Sequence, residues 1–372
     1  MNIALLFQRL AEGINIENTI SALYHPEVIA ALIDLEWQNP SRANAFNISP
    51  DTVEAAIIQR LELLQSVYFE FVQLCEHLKL SPLPIESLWS VWLPLSLQIG
   101  DWRFAQHATL LEPQQSRPLI QGFLGGQGVG KTTLTKLLTL ILRHLGHQTI
   151  SFSLDDLYLP YRDRLQLQQH DPRLIRRGPP GTHDIELGLR VLQQLRQNQF
   201  PVAIPQFDKS AFNGAGDRTA PILVTEADIV LFEGWFVGVP PIDPSSFEAA
   251  PAPIVTARDR QFARDMNEQL RDYLPLWNLL DRLIVLYSPN YQLSKQWRKH
   301  AEHKMINQGK AGMIDSEIDD FVEYFWKALH PQLFLQPLLR DSDRVSLILE
   351  INPDHQPGAI YTPSFNNSLR CK

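Results

Sequence analysis

The run Gly125-Gly126-Gln127-Gly128-Val129-Gly130-Lys131-Thr132 constrains this chain more than any other feature. It completes the pattern Gly-x-x-x-x-Gly-Lys-Ser/Thr. It also stands where that pattern has a physical use. An apolar strand-like run, Leu119-Ile120-Gln121-Gly122-Phe123-Leu124, precedes it, and a helical pattern from Lys131 to about Leu145, ended by Gly146, follows. Glycines let the backbone wrap closely, so that its N–H groups point at phosphate oxygens. The helix start adds partial positive charge. In that arrangement Lys131 reaches the β- and γ-phosphates of a nucleotide, the Thr132 hydroxyl sits on Mg²⁺, and Thr133 closes the loop. The alternative is a structural glycine turn with an incidental lysine, and the strand and helix on either side weigh against it.

Further strands flank this unit. Thr149–Leu154, Asp228–Phe232, Leu283–Tyr287 and Val345–Leu349 are rich in β-branched and apolar residues and are separated by helical stretches. That alternation predicts an α/β fold of the P-loop NTPase type, a mainly parallel sheet with helices on both faces. Before about residue 115 the pattern is helical. Ser49-Pro50-Asp51 starts a helix running to about Leu78, with Val53, Ile57, Leu61, Leu64, Val67 and Phe71 on one apolar face. Trp89, Trp92, Leu93 and Leu97 continue an apolar pattern up to Gly100-Asp101; with Phe69 the tryptophans either line a pocket or pack a helical core, and the core is favoured. The expected organisation is a helical accessory region over 1–115 and an α/β domain over 116–372, with a lid near 295–330, a division that suits 372 residues.

Carboxylates at strand ends add chemistry to the loop. Ser153-Leu154-Asp155-Asp156-Leu157-Tyr158 follows the second strand, so Asp155 faces the crevice beside the phosphate loop. It can take the proton of an attacking hydroxyl or hold Mg²⁺ through water, and an N-cap role is the alternative. Glu233 ends the third strand in Leu231-Phe232-Glu233-Gly234, where a buried carboxylate makes sense beside a metal. Two loops carry cations and glycines: Arg176-Arg177-Gly178-Pro179-Pro180-Gly181-Thr182-His183-Asp184, and Pro205 to Arg218 with Lys209. Such loops can hold an anionic substrate, although each charge taken singly is as ordinary on a solvated surface. A basic helix from Gln296 to Lys304, with Arg298, precedes Asn307-Gln308-Gly309-Lys310-Ala311-Gly312, and the pair suits a lid over a transferring phosphoryl group.

Composition excludes other classes. The net charge of -8, spread along the chain, argues against a nucleic-acid binder. Hydrophobic residues make up 44%, enough for a sizeable core, yet no apolar run approaches membrane-spanning length. Cys75 and Cys371 lie in no metal-binding pattern, and the N-terminus does not read as a signal peptide. The expectation is a reduced, cytoplasmic protein.

Taken together, GGQGVGKTT, SLDDLY, RGPPGTHD, PQFDKSAFNGAGDR, LFEGWFVG and WRKHAEHKMINQGKAGMIDSEIDDFVEYFWKALHP resemble the D-glycerate 3-kinases of plants and cyanobacteria. Those enzymes belong with the uridine kinases, pantothenate kinases and phosphoribulokinases. The resemblance covers about Pro118 to the C-terminus. It implies ATP and Mg²⁺ as cofactors, D-glycerate as the small-molecule partner, 3-phospho-D-glycerate as product, and photorespiration as the setting in a photosynthetic organism. It places Asp155 on the general base, Glu233 on the Mg²⁺-side carboxylate and Arg298 on a lid arginine. For the glycerate anion, chemistry favours Lys209, Arg218 and Arg177, with His183 as a hydroxyl partner. Ile351-Asn352-Pro353 is a candidate for contacting the base. Another small hydroxyl substrate, or a non-catalytic nucleotide-binding regulator, are the rival readings.

Overall fold

A computed structural model of the chain describes residues 3–108, 117–306 and 313–363. Its strands in chain order are β1 (Leu119–Gly125), β2 (Thr149–Ser153), β3 (Val202–Asp208), β4 (Asp217–Val224), β5 (Ile229–Gly234), β6 (Arg282–Tyr287), β7 (Leu347–Ile351) and β8 (Pro357–Tyr361). Six of them form one sheet in the order β2-β5-β1-β6-β7-β8. The first five of these are parallel and β8 pairs antiparallel on the edge. Every residue of β1 and β5 is buried, as central strands of a sheet covered on both faces must be. The expected α/β architecture is therefore present. The chain leaves β1 toward neighbours on either side, so the crevice at the carboxyl ends of β1 and β5 is the switch point where such sheets bind ligands.

The side-chain period of two sorts the core. Leu119 and Phe123 point to one face, where Leu231 and Ile284 join them, and Ile120 and Leu124 point to the other with Val230 and Val285. Helices α1 (Ile3–Ala11), α2 (Ile16–Leu23), α3 (Pro26–Trp37), α4 (Pro40–Ala45), α5 (Val53–His77), α6 (Ile85–Ser87) and α7 (Leu93–Ala108) share the first face with α8 (Lys131–His144). Leu32, Leu64, Phe71 and Leu95 thus lie in one continuous core with Leu137 and the sheet. The second face is covered by α10 (Ile185–Arg196), after the short exposed α9 (Tyr161–His170), and by α11 (Ala257–Gln269), α12 (Leu274–Trp277) and α15 (Pro331–Leu338). Helices α13 (Leu293–Ile306) and α14 (Asp315–Ala328) pack together beside the crevice. Each fully buried leucine or phenylalanine contributes about 1.5–3 kcal/mol.

Some elements differ from expectation. Helix α5 starts at Val53, not Ser49, because Ser49 and Thr52 close a turn in which the Thr52 hydroxyl accepts from the Ser49 N–H at 2.9 Å. Helix α7 runs through Gly100 to Ala108; the glycine serves packing, since a Cβ there would lie 3.2 Å from the His147 ring. Of the segment read as a charged loop from Pro205 to Arg218, Lys209 to Gly216 is a loop, while Pro205 to Asp208 and Asp217 to Arg218 belong to the paired strands β3 and β4 that it connects. Its prolines and the exposure of β4 hid the strand signal. Trp89 is core, whereas Phe69 is 60% exposed. Cys75 is buried, and burial pushes its thiol up to about 12. The predicted lid segment Asn307–Gly312 and Cys371 lie outside the described residues. Among the described residues no helix is long and apolar enough to cross a membrane.

Candidate active site

The phosphate loop is shaped by backbone requirements. Gly128 and Gly130 hold φ of 78° and 96°, a region that L side chains rarely adopt. Gly125 is needed for space, because a Cβ there would sit 2.8 Å from Val129 Cγ1. The loop curls around the Lys131 ammonium, which donates to the carbonyls of Gly125 at 2.8 Å and Gly126 at 3.0 Å. Desolvation lowers the Lys131 pKa, against the opposing pull of Glu233 and Asp155. Parallel register brings Glu233 level with Phe123 and Ser153, so its carboxylate stands beside the loop. Glu233 is 5% exposed and accepts from the Thr132 hydroxyl at 2.7 Å. Thr133 follows in the first turn of α8.

These groups fit a nucleotide phosphate with Mg²⁺. No side chain lies within 4 Å of where a Cβ would stand at Gly126 or Gly130, which leaves the loop approachable. A buried carboxylate next to a threonine hydroxyl is a half-complete Mg²⁺ shell, of the kind that phosphate oxygens and waters finish. Among the described residues no group of three or more His, Cys, Asp or Glu makes an all-protein metal cage.

Opposite the loop stands Asp155. The alternative N-cap role falls to its neighbours: Ser153 caps the 3-10 turn Leu154–Leu157, and Asp156 completes the capping box by accepting from the Ser153 N–H at 2.8 Å. Asp155 is thereby free to face the crevice. Its Oδ2 accepts from Lys209 Nζ at 2.6 Å and its Oδ1 from the Tyr158 hydroxyl at 2.8 Å. Desolvation raises its pKa, but Lys209, by charge and hydrogen bond, and Tyr158 outweigh this, and the net pKa lies below the usual range. Asp156 goes the other way. Burial, with the charge of Asp155 added, lifts it to about 6.

Between the two walls lies a cavity of about 950 Å³ lined by Lys131, Thr132, Asp155, Glu233, Arg177, Lys209 and Arg298. Arg177 donates to the carbonyls of Gly214 and Ala215 at 2.7 and 2.8 Å, which ties the glycine loop to the hairpin turn. Arg298, on α13, pairs with Glu302 at 2.5 Å and lies over the Phe321 ring. Arg218 is not among the lining residues. It donates to the Tyr158 carbonyl at 3.0 Å and to Asp184 at 2.9 Å, and Asp184 caps α10. His183 lies one ring behind the cavity wall, stacked on Tyr158. Arg176, from the same cationic loop as Arg177, also lines the cavity, and so does Arg164, which the sequence did not single out. Arg164 lies on α9, a helix with no buried residue, where a charge is ordinary on a solvated surface. The candidate base-contact stretch touches α13, since the Trp297 indole donates to the Pro353 carbonyl at 2.9 Å. A smaller, more apolar cavity of about 320 Å³ lies behind Gly126 and Gln127, between β6 and helices α13 to α15.

No protein-family model matches the chain. It is similar to the chloroplastic D-glycerate 3-kinase of Arabidopsis thaliana, 31% identical over 329 residues, which are 84% of this chain and 70% of that one. A pantothenate kinase of Coxiella burnetii is 24% identical over 292 residues, covering 74% of this chain and 84% of that protein. Among solved structures, the D-glycerate 3-kinase from Cryptococcus neoformans superposes with a TM-score of 0.64 at 26% identity, covering 72% of this chain and 99% of that one. With the phosphate loop, the strand-end carboxylates and the cationic cavity in one crevice, and with that relative matched across most of both chains, this chain belongs to the D-glycerate 3-kinase family.

Proposed function

We propose that this chain transfers the γ-phosphate of ATP to a hydroxyl of D-glycerate, giving 3-phospho-D-glycerate. One observation carries the reading. A phosphate loop and an aspartate of lowered pKa face each other across a cavity ringed by arginines and lysine. That is the arrangement a small anionic alcohol and a nucleoside triphosphate both need.

The loop N–H groups, Lys131 and Thr133 would hold the phosphates, and Thr132 and Glu233, with Asp155 through water, would hold Mg²⁺. Bound Mg²⁺ neutralises charge on the phosphate oxygens. Asp155 is ionised at neutral pH, so it can accept the proton of the substrate hydroxyl; Tyr158 fixes its orientation. Lys209, 61% exposed, can leave Asp155 for the substrate carboxylate without losing a buried position. Arg177 adds a planar donor on the same side. Arg298, on the lid helix, supplies positive charge where the phosphoryl group passes. Before ligands enter, each of these charged groups already has an internal partner, which keeps a dense set of charges from repelling one another. The reading includes a photorespiratory role in a photosynthetic host, which the resemblance of the motifs supports, and keeps a cytoplasmic location as part of the proposal.

A coupled ATP assay over a panel of D-glycerate, pantothenate, nucleosides and sugar phosphates tests this, with phosphorus NMR of the product. D-glycerate is expected to be the preferred acceptor and the 3-hydroxyl the position modified. Turnover with another alcohol and none with D-glycerate would overturn the specificity. Tight ATP binding with no turnover on any acceptor would favour a regulator.

A further inference from the structure

Six cations line the large cavity, and five of them have hydrogen-bond partners before any ligand enters. Lys131 donates to the Gly125 and Gly126 carbonyls, and Lys209 to Asp155. Arg164 donates to the Leu159 carbonyl at 2.9 Å, Arg177 to those of Gly214 and Ala215, and Arg298 pairs with Glu302. The sixth is Arg176. Among the described residues its guanidinium has no hydrogen bond and no ion pair, and its Nε is buried without an acceptor. A buried donor left unpaired destabilises a fold and asks for a reason. What holds the group is an aromatic face, since its Cζ lies 4.8 Å from the centre of the Phe321 ring. Arg298 lies over the same ring at 5.0 Å. Two like charges thus share one phenyl ring, and among the described residues Glu302 is the one carboxylate that pairs with either. The backbone fixes this placement. Gly178 holds φ of 128°, and a Cβ there would overlap the Phe325 ring, so only glycine lets the loop lie against α14. Phe321 stands one turn before Phe325 on the same face of α14. From the other side the Trp235 indole donates to the Gly178 carbonyl at 3.1 Å.

We propose that Arg176 is the open anion site of this cavity: its guanidinium binds an anionic oxygen of the ligands, carried either by the acceptor's carboxylate or by the γ-phosphoryl group of the nucleotide. The inference deepens the kinase reading above and rests on it. A guanidinium offers parallel N–H donors that match the edge of a carboxylate or a phosphoryl group. The other five cations must release or share an internal partner to meet a ligand. Arg176 has none to release, so the whole of its charge-assisted hydrogen bond counts toward binding. The Phe321 face and the loop held at Gly178 keep it in position in advance, which lowers the ordering cost of binding. An oxyanion between the two guanidiniums would also offset their mutual repulsion.

Calorimetric titration of the full chain tests this and needs no turnover. The probes are D-glycerate, ADP and a β,γ-imido analogue of ATP, the nucleotides with Mg²⁺. Arg176→Gln removes the charge and keeps a side chain long enough to cover Phe321. A Kd for D-glycerate weakened about tenfold, with both nucleotides unchanged, would support the site and assign it to the acceptor carboxylate. A Kd for the ATP analogue weakened by that factor, with ADP and D-glycerate unchanged, would support the site and assign it to the γ-phosphoryl oxygens. Phe321→Leu keeps the arginine and removes the face that holds it. It should weaken the same ligand in the wild-type background and change it by less than about threefold when added to Arg176→Gln. Three dissociation constants within about threefold of wild type in Arg176→Gln would overturn the proposal. So would an equal weakening of all three, since Arg176 would then act only by packing on Phe321. A wild-type chain that never phosphorylates D-glycerate would overturn the function instead, and the contrast between ADP and the ATP analogue would still decide whether Arg176 meets the phosphoryl group.

Discussion

Two carboxylate–cation pairs of similar length sit in very different places. Glu36 and Arg60 meet at 2.8 Å among the N-terminal helices, each 1% exposed. Asp155 and Lys209 meet at 2.6 Å at the cavity, where they are 25% and 61% exposed. Burial is deepest in the pair that lines neither cavity described above. Arg60 lies over the Trp89 ring and ties α3 to α5, so its charge serves the helical layer. Desolvation lowers the pKa of Arg60 even with Glu36 beside it, a sign of how far the pair is from water. The Asp155 pair is only partly withdrawn and one partner can swing away. An ion pair thus marks chemistry through access to a cavity, and its depth says little.

The sharpest way to break this comparison is to disable one member of each pair. Asp155→Asn should cut turnover by about 10²- to 10⁴-fold, the usual span for a lost general base, while the thermal midpoint stays level or rises. Wild-type-like turnover would remove Asp155 from the base role. Lys131→Ala belongs to the same class, with about 10³-fold lost and the fold intact. Arg60→Ala should do the reverse. It leaves Glu36 buried with only the longer contact to Arg42 at 3.5 Å, at a cost of about 3 kcal/mol in denaturant titration, and kcat per folded molecule should not change. A large kcat effect there would show that the helical layer is coupled to the site.

Arg177 and Arg218 sharpen the comparison at smaller scale. Both were expected to hold substrate, yet only Arg177 lines the cavity. Arg177→Ala should raise KM for D-glycerate about tenfold, the worth of one charge-assisted hydrogen bond. Arg218→Ala should instead loosen the Asp184 cap of α10, with about 1 kcal/mol of stability lost and KM little altered. If KM rose as much in the Arg218 variant with no change in stability, its placement outside the site would be wrong.

What was legible in the sequence follows the range of the interactions involved. The loop, β1 and α8 are contiguous, so spacing alone was enough to place them. Asp155 and Glu233 could be read because each ends an apolar strand, and parallel register then brings strand ends level. Arg218 could not be separated from Arg177, because both lie in charged loops and only the pairing of β4 with β3 decides which one turns inward. The Tyr273 hydroxyl, 2.7 Å from His183 Nδ1, was invisible for a stronger reason. It stands 90 residues after His183 on an unremarked helical turn, and nothing local announces a hydroxyl aimed at a ring nitrogen.

A further effect is a pH dependence of stability, and its sign distinguishes buried neutral groups from the partly exposed pair. Burial holds His183 down at about 3 and His330 at about 4, against an ordinary 6.5. As pH falls through 6.5 the unfolded chain takes up protons that these folded rings refuse. Stability therefore drops with acid, by about 1.4 kcal/mol per pH unit for each histidine until its folded pKa is reached. Asp156 opposes this. Its folded pKa of about 6 stands above the ordinary 3.8, so between those values the folded chain binds the extra proton and acid favours folding. One histidine and Asp156 nearly cancel over that window. Replacing His183 by glutamine should therefore flatten the acid limb measured by denaturant titration between pH 6.5 and pH 4, and should leave the curve above pH 7 parallel to wild type. An unchanged slope would mean that His183 takes its proton in the folded chain as readily as in water, and burial would then not hold the ring neutral.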